Sequence, residues 1–322
     1  MKDKRSGLDF SCFFRNVGSM HLNSWFTELS RRTIILFRLW AWVEGLNIRL
    51  FNFKKKPPIL IYQMGKVGST SLYKTLKRSA TRYPVFHIHW FSKKGLGRAD
   101  RINATALDPI FDMHLRRCKL LRACYDEGKI GKCKIISLVR EPIAREVSNL
   151  FQDIHIFHPQ LLDSDGKFKL EAALAEVKHK IEQKTKDVRY CLSWFDEEFK
   201  EALQINIYDY PFDKDAGYRI IKCGRYDILL LKLERLSSCF HKAMSDFLGL
   251  RVQRHVIMAN TSDKKKHLFA KQALQMNLKL DLSTCKNIYS EPYVRHFYTD
   301  REIEGFIGRW CKPYEQSGER CV

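Results

Sequence analysis

The sequence predicts an α/β protein built on a central parallel sheet flanked by helices, with a mostly helical C-terminal part and an amphipathic helix ahead of the sheet. Three observations lead there. Short apolar runs at Ile59–Tyr62 and Lys134–Val139 each end in a loop that opens an amphipathic helical pattern, which is the strand–loop–helix rhythm of a parallel sheet. A further run over Asp227–Leu233 supplies another buried strand. The 322 residues, 45% of them hydrophobic, suffice to bury a full core without internal repeats or low-complexity tracts.

In chain order, the N-terminal stretch shows no signal-peptide pattern, and Arg38 and Glu44 break its apolar runs before they reach the length of a membrane span. At 100° per residue Leu22, Trp25, Phe26, Leu29, Leu36, Trp40 and Val43 share a face, with Arg31, Arg38 and Arg49 opposite. Residues 20–53 therefore suit either peripheral contact with a membrane or packing on the protein's own surface. Lys54, Lys55, Lys56, Pro57 and Pro58 form a stiff basic linker, which divides an N-terminal segment, 1–57, from the main domain, 58–322.

The first strand runs into a loop with Gly65, Lys66 and Gly68, and Ser69, Thr70 and Ser71 open the following helix. Such a junction binds anions, because the first helical turn has unpaired N–H groups, the glycines let a ligand approach and the lysine adds a charge. The competing reading is an ordinary turn with a hydroxyl cap. In Tyr83–Ser92, alternation puts His87 and His89 on one face of a strand, where either can serve as a general base or simply hold the structure. The basic stretch Lys93–Arg101 reads as a loop, and Asp108–Glu127 as a helix with Arg116, Arg117, Lys119 and Arg122 at its middle. The strand Lys134–Val139 ends at Arg140, Pro142 opens a helix, and Ser148 lies eight residues beyond the arginine. Loops at the carboxyl ends of neighbouring parallel strands share one crevice, so two phosphate-type sites are expected side by side.

These two segments resemble a known group. GKVGSTSL, Gly65–Leu72, resembles the 5′-phosphosulfate loop of the sulfotransferases, and VREPIAREVS, Val139–Ser148, resembles their 3′-phosphate segment. The resemblance implies a P-loop-NTPase-like fold, 3′-phosphoadenosine 5′-phosphosulfate as donor, and transfer of a sulfuryl group to an acceptor hydroxyl. It assigns Gly65, Lys66, Gly68, Ser69, Thr70 and Ser71 to the phosphosulfate and Arg140 and Ser148 to the 3′-phosphate. Lys66 would steady the leaving oxygen, His89 or else His87 would take the hydroxyl proton, and no metal is implied. Lys66 precedes Gly68, unlike the Walker A order, in which lysine follows the last glycine. Further on, Trp194–Tyr218, Asp227–Leu236 and Phe247–Leu250 resemble a bacterial branch labelled as capsular polysaccharide synthesis proteins, which implies a carbohydrate acceptor. Trp194, Tyr208, Tyr210 and Phe212 are candidates for the acceptor cleft or for the core.

Composition narrows the partners. Lys and Arg total 57 against 36 acids, a net charge of +21, which favours anionic ligands. Basic and aromatic residues are not interleaved on one platform, so nucleic acid is not expected, and a non-catalytic basic module for nucleic acid or membrane remains an alternative, as does a P-loop-like ATP-dependent kinase. The ten cysteines form no zinc-type spacing and read as reduced packing residues of a cytoplasmic protein, with any membrane association peripheral. In a secreted setting they could pair, and the sequons at Asn103 and Asn260 would become glycosylation candidates. At the C-terminus Thr299 and Glu302 predict a capping box ahead of the packing stripe Ile303, Phe306, Ile307 and Trp310.

Overall fold

The computed structural model describes residues 39, 42–79, 83–106, 108–151, 154–249 and 265–311. A helix over residues 42–50 (α1) precedes β1 (Ile59–Tyr62), α2 (Ser69–Arg78) and β2 (Val85–Ile88). The chain then crosses by α3 (Lys93–Ala106) and α4 (Pro109–Asp126) to β3 (Cys133–Val139). Next come α5 (Pro142–Leu150), α6 (Ile154–Phe157), α7 (Leu170–Glu182) and α8 (Lys186–Trp194), which continues through a π-helical turn, Phe195–Lys200, into α9 (Glu201–Leu203). Strands β4 (Tyr218–Cys223) and β5 (Tyr226–Lys232) complete the sheet, and α10 (Leu236–Leu248), α11 (Lys265–Asn277), α12 (Leu282–Tyr289), α13 (Pro292–Phe297) and α14 (Asp300–Trp310) follow.

The sheet order is β2-β1-β3-β5-β4. Strands β1, β2, β3 and β5 are parallel, as the apolar runs predict, with Ile59 beside Lys134 and Ile61 beside Ile136 where β1 meets β3. Strand β4 departs from the parallel pattern. It pairs antiparallel to β5 across a tight hairpin whose Gly224 has φ 56°, a conformation that costs glycine little. As an edge strand it is only partly buried, so it lacks the continuous apolar run that marks β3 and β5.

The stretch Lys93–Arg101, expected as a loop, is the first half of α3. The helix starts there because Ser92 Oγ accepts from Gly95 N at 2.7 Å, while the absent side chain of Gly95 leaves room for Glu198. A Cβ on Gly95 would lie 1.8 Å from Glu198 Oε2. Glu198 accepts from Tyr62 Oη (2.7 Å), Phe91 N (2.6 Å), Ser92 N (2.8 Å) and Ser92 Oγ (2.6 Å), and so pins the β2–α3 turn to the end of β1. Asn103 sits within α3 and donates to Asp112 Oδ1 at 3.0 Å, while Asn260 lies outside the described residues.

The core lies on both faces of β1, β3 and β5, and its largest fully buried side chains include Trp194, Trp310 and Tyr62. Cys118, Cys124, Cys133, Cys191, Cys239, Cys285 and Cys311 are free and buried, in keeping with packing thiols. The capping box at Thr299 and Glu302 forms as expected, and Ile303, Phe306 and Trp310 are buried behind it. Among the described residues no helix is long and apolar enough to cross a membrane. Most of the N-terminal face expected to be amphipathic, up to residue 38 and at 40 and 41, lies outside the described residues.

Candidate functional site

The site begins where β1 ends. Gln63 is fully buried; its Oε1 accepts from Leu138 N at 3.1 Å, which extends the β1–β3 pairing by one side chain, and its Nε2 has no partner. The chain then turns through left-handed backbone at Lys66 (φ 70°) and Gly68 (φ 92°). A Cβ at Gly68 would lie 2.8 Å from Leu233 Cδ1, so glycine is needed there on both counts. At Gly65 a Cβ would meet nothing within 4 Å, and the space beside that residue is open. Helix α2 then starts with Gly68 as its cap residue, which has no side chain to bond the first amides, and no acid lies in its first turn. The positive end of its dipole thus meets neither a capping side chain from that residue nor a carboxylate of that turn.

The β3–α5 junction is built the opposite way. Glu141 closes the helix: it accepts from Ile143 N (2.8 Å), Ala144 N (2.7 Å), Tyr289 Oη (2.8 Å) and Trp310 Nε1 (3.3 Å). Burial raises its carboxyl above the usual range, while the two amides and Tyr289 work the other way. An anion at this junction must therefore rely on side chains. Arg140 is held by its backbone, since Tyr293 Oη accepts from Arg140 N at 3.0 Å and donates to Arg140 O at 2.9 Å. Its guanidinium reaches across and donates to Lys66 O at 2.7 Å. Arg145, nearly buried, donates to Gly65 O at 3.3 Å and pairs with Glu146 at 3.1 Å. Arg140 at the end of β3 and Arg145 in α5 therefore both rest on carbonyls of the β1–α2 loop. The structure brings together Gly65, Lys66, Gly68 and Arg140, with Ser69 and Ser148 buried at the openings of α2 and along α5.

His87 and His89 share a side as predicted, their rings 4.6 Å apart. His89 Nδ1 lies 2.8 Å from Gln63 O, and a carbonyl only accepts, so Nδ1 carries the proton and Nε2 keeps its lone pair. Surrounding protein lowers the His89 pKa, opposed by that carbonyl and aided by the nearby Arg145 and Lys66 charges. His114 of α4 joins them, 4.9 Å from His89 and 5.3 Å from His87. Burial, together with the neighbouring imidazoles and Arg117, holds His87 and His114 well below the usual histidine value, and the Nε2 atoms of both are buried without a partner. Of the two histidines, His89 is the one bonded to the chain leading from β1 into the loop. Among the described residues no His, Cys, Asp and Glu are grouped as a metal site.

Of the aromatic candidates for the acceptor cleft or the core, Trp194 and Phe212 are core residues. Trp194 is fully buried against Tyr62 and Phe199, which removes it from any acceptor cleft. Phe212 packs on Phe297, and Tyr208 on His296. Conversely, sequence reasoning missed Gln63, Glu141 and His114 as parts of this arrangement, while Arg145 lay within the quoted motif Val139–Ser148 without a role of its own. Glu141 had a signal, an acid just before a proline-led helix; the others had none beyond proximity to the motifs.

Residues 165–299 match the family described as NKWYS, "Putative capsular polysaccharide synthesis protein". No curated protein and no solved structure matches the chain. The matched segment covers α7 to α13 with β4 and β5, so it contains Tyr289, Tyr293 and Tyr298, which brace the Arg140 junction, and leaves the β1–α2 and β3–α5 junctions outside it. Through that segment the chain is similar to a polysaccharide-synthesis family.

Proposed function

We propose that this chain is a sulfotransferase that moves a sulfuryl group from 3′-phosphoadenosine 5′-phosphosulfate to a hydroxyl of a carbohydrate. The observation that supports this most is the contrast between the two junctions. One helix N-terminus is uncapped, free of acids and flanked by Lys66; the other is closed by Glu141 and offers Arg140 and Ser148 instead. That is two anion sites of different make, joined through the Arg140–Lys66 bond, as a nucleotide with phosphates at two positions requires. The open space beside Gly65 and the unpartnered Gln63 Nε2 fit a ligand at the first of them.

In this reading the acceptor oxygen attacks sulfur while the bond from sulfur to the 5′-phosphate oxygen breaks. The electron pair leaves on adenosine 3′,5′-bisphosphate, and the hydroxyl proton passes to His89 Nε2. Lys66 and the α2 amides act on the oxygen where charge grows, which lowers the barrier more than it strengthens donor binding. The carbohydrate acceptor rests on the similarity of residues 165–299 to the polysaccharide-synthesis family. The test is transfer of labelled sulfur from the donor to a panel of capsular polysaccharides. Transfer by the wild type that falls by at least about a hundredfold in Lys66→Ala supports the reading, by analogy with removal of one oxyanion-stabilising group. No transfer to any polysaccharide, with donor bound, would redirect the acceptor class; transfer unchanged in Lys66→Ala would overturn the role of the loop.

A further inference from the structure

Helix α1 has a surface that the anion site does not use. Its inner side is fixed to the body of the protein. Ile48 and the following Phe53 are buried, and Gly45 packs so closely that a Cβ would lie 3.2 Å from Leu120 Cδ1. Glu44 takes two bonds from Arg117, at 2.8 and 3.1 Å. At 100° per residue Trp42, Val43, Leu46 and Leu50 fall within an arc of about 100° on the other side. All four are exposed, Trp42 to 65% and Leu50 to 74%. A contiguous apolar stripe of this kind, held outward by a clamped helix, marks an interaction surface.

Charge selects the occupant. Lys54, Lys55 and Lys56 follow the helix after three intervening residues and are exposed, and Arg49 flanks the stripe. Arg49 and Lys129 rim a cleft of about 260 Å³ between α1 and α4, floored by Leu120, Ala123 and Cys124. Of the nearby acids, Glu44 is bound to Arg117 and Glu127 to Lys129. We propose that this face seats the protein on an anionic lipid bilayer, with α1 lying in the plane of the interface. Its apolar stripe enters the boundary between headgroups and acyl chains, and the lysines and Arg49 meet the lipid phosphates. A second copy of the chain suits the face less well, because it would bring two basic rims together in molecules that each carry +21.

The test is sedimentation of the full chain with vesicles of phosphatidylcholine alone and of equal parts phosphatidylcholine and phosphatidylglycerol. The wild type is expected to bind the anionic vesicles and to be released by salt. Leu46→Ser/Leu50→Ser should weaken that binding by about tenfold or more, as should Trp42→Ser, with unchanged thermal melting because the residues are exposed. Three results would each overturn the proposal: a wild type that ignores anionic vesicles, serine variants that bind as the wild type does, or a light-scattering dimer that the serine variants dissolve in the absence of any vesicle binding.

Discussion

At Lys66 a non-glycine residue sits at φ 70°, a conformation that costs stability and survives where the surroundings enforce it. The enforcement is visible in the bond from Arg140 to its carbonyl. Beside it, the imidazoles of His87, His89 and His114 are packed ring against ring with pKa values lowered chiefly by burial. Their folded-state values lie below the unfolded one, so the unfolded chain binds more protons as the pH falls through about 6.5, and stability drops with it. Each imidazole contributes a slope of up to about 1.4 kcal/mol per pH unit in that window. Urea denaturation at pH 7 and pH 5 should show the loss, and His87→Phe/His114→Phe should flatten it; an equal slope in that variant would show that the cluster is not its source. The adjacency of His87 and His89 was readable from alternation along one strand. His114 was not, because it comes from a helix whose packing angle on β2 no local pattern encodes.

Two glycines of one loop are there for different reasons, and the difference belongs to the element. Gly68 turns the chain into α2 at φ 92° under Leu233, so Gly68→Ala should cost about 1–3 kcal/mol, from strain and from the contact at 2.8 Å. Gly65→Ala meets no protein atom and should leave the urea midpoint nearly unchanged. Equal destabilisation by both would mean that the loop is not open as described. The strand–loop–helix character of both junctions was legible because apolar runs, glycine and proline punctuate it. The unequal capping of α2 and α5 was only half legible: Glu141 could be suspected as a cap, but its partners Tyr289 and Trp310 lie far away in sequence. Helix α3 was misjudged in part for the same kind of reason, since Ser92, which caps its basic start, is itself held by the distant Glu198.

Over the whole molecule, the C-terminal helices act as a brace for the β3–α5 junction. Tyr289, Tyr293 and Trp310 bond to Glu141 or Arg140, and Tyr298 bonds to Glu234, which itself accepts from Glu141 N at 2.8 Å. Lys232 ties that layer to the sheet. Fully buried at the end of β5, it pairs with both oxygens of Glu302 at 2.9 and 2.8 Å and donates to Lys214 O. Lys232→Ala leaves the Glu302 charge without its partner and should cost about 3–5 kcal/mol in urea denaturation; a loss under about 1 kcal/mol would show that the brace is not joined there. The sequence announced α14 through its capping box, but not that Glu302 serves cap and sheet at once.

The central claim is that the two loops form one site for a nucleotide phosphorylated at two positions. Calorimetric titration of adenosine 3′,5′-bisphosphate, with ATP and 5′-AMP as controls, into the wild type and Arg140→Ala tests it without an acceptor. The account predicts a preference for the bisphosphate that Arg140→Ala abolishes, with a loss of at least about tenfold from removing one charge-assisted contact. Equal binding of all three nucleotides, or none, would contradict it.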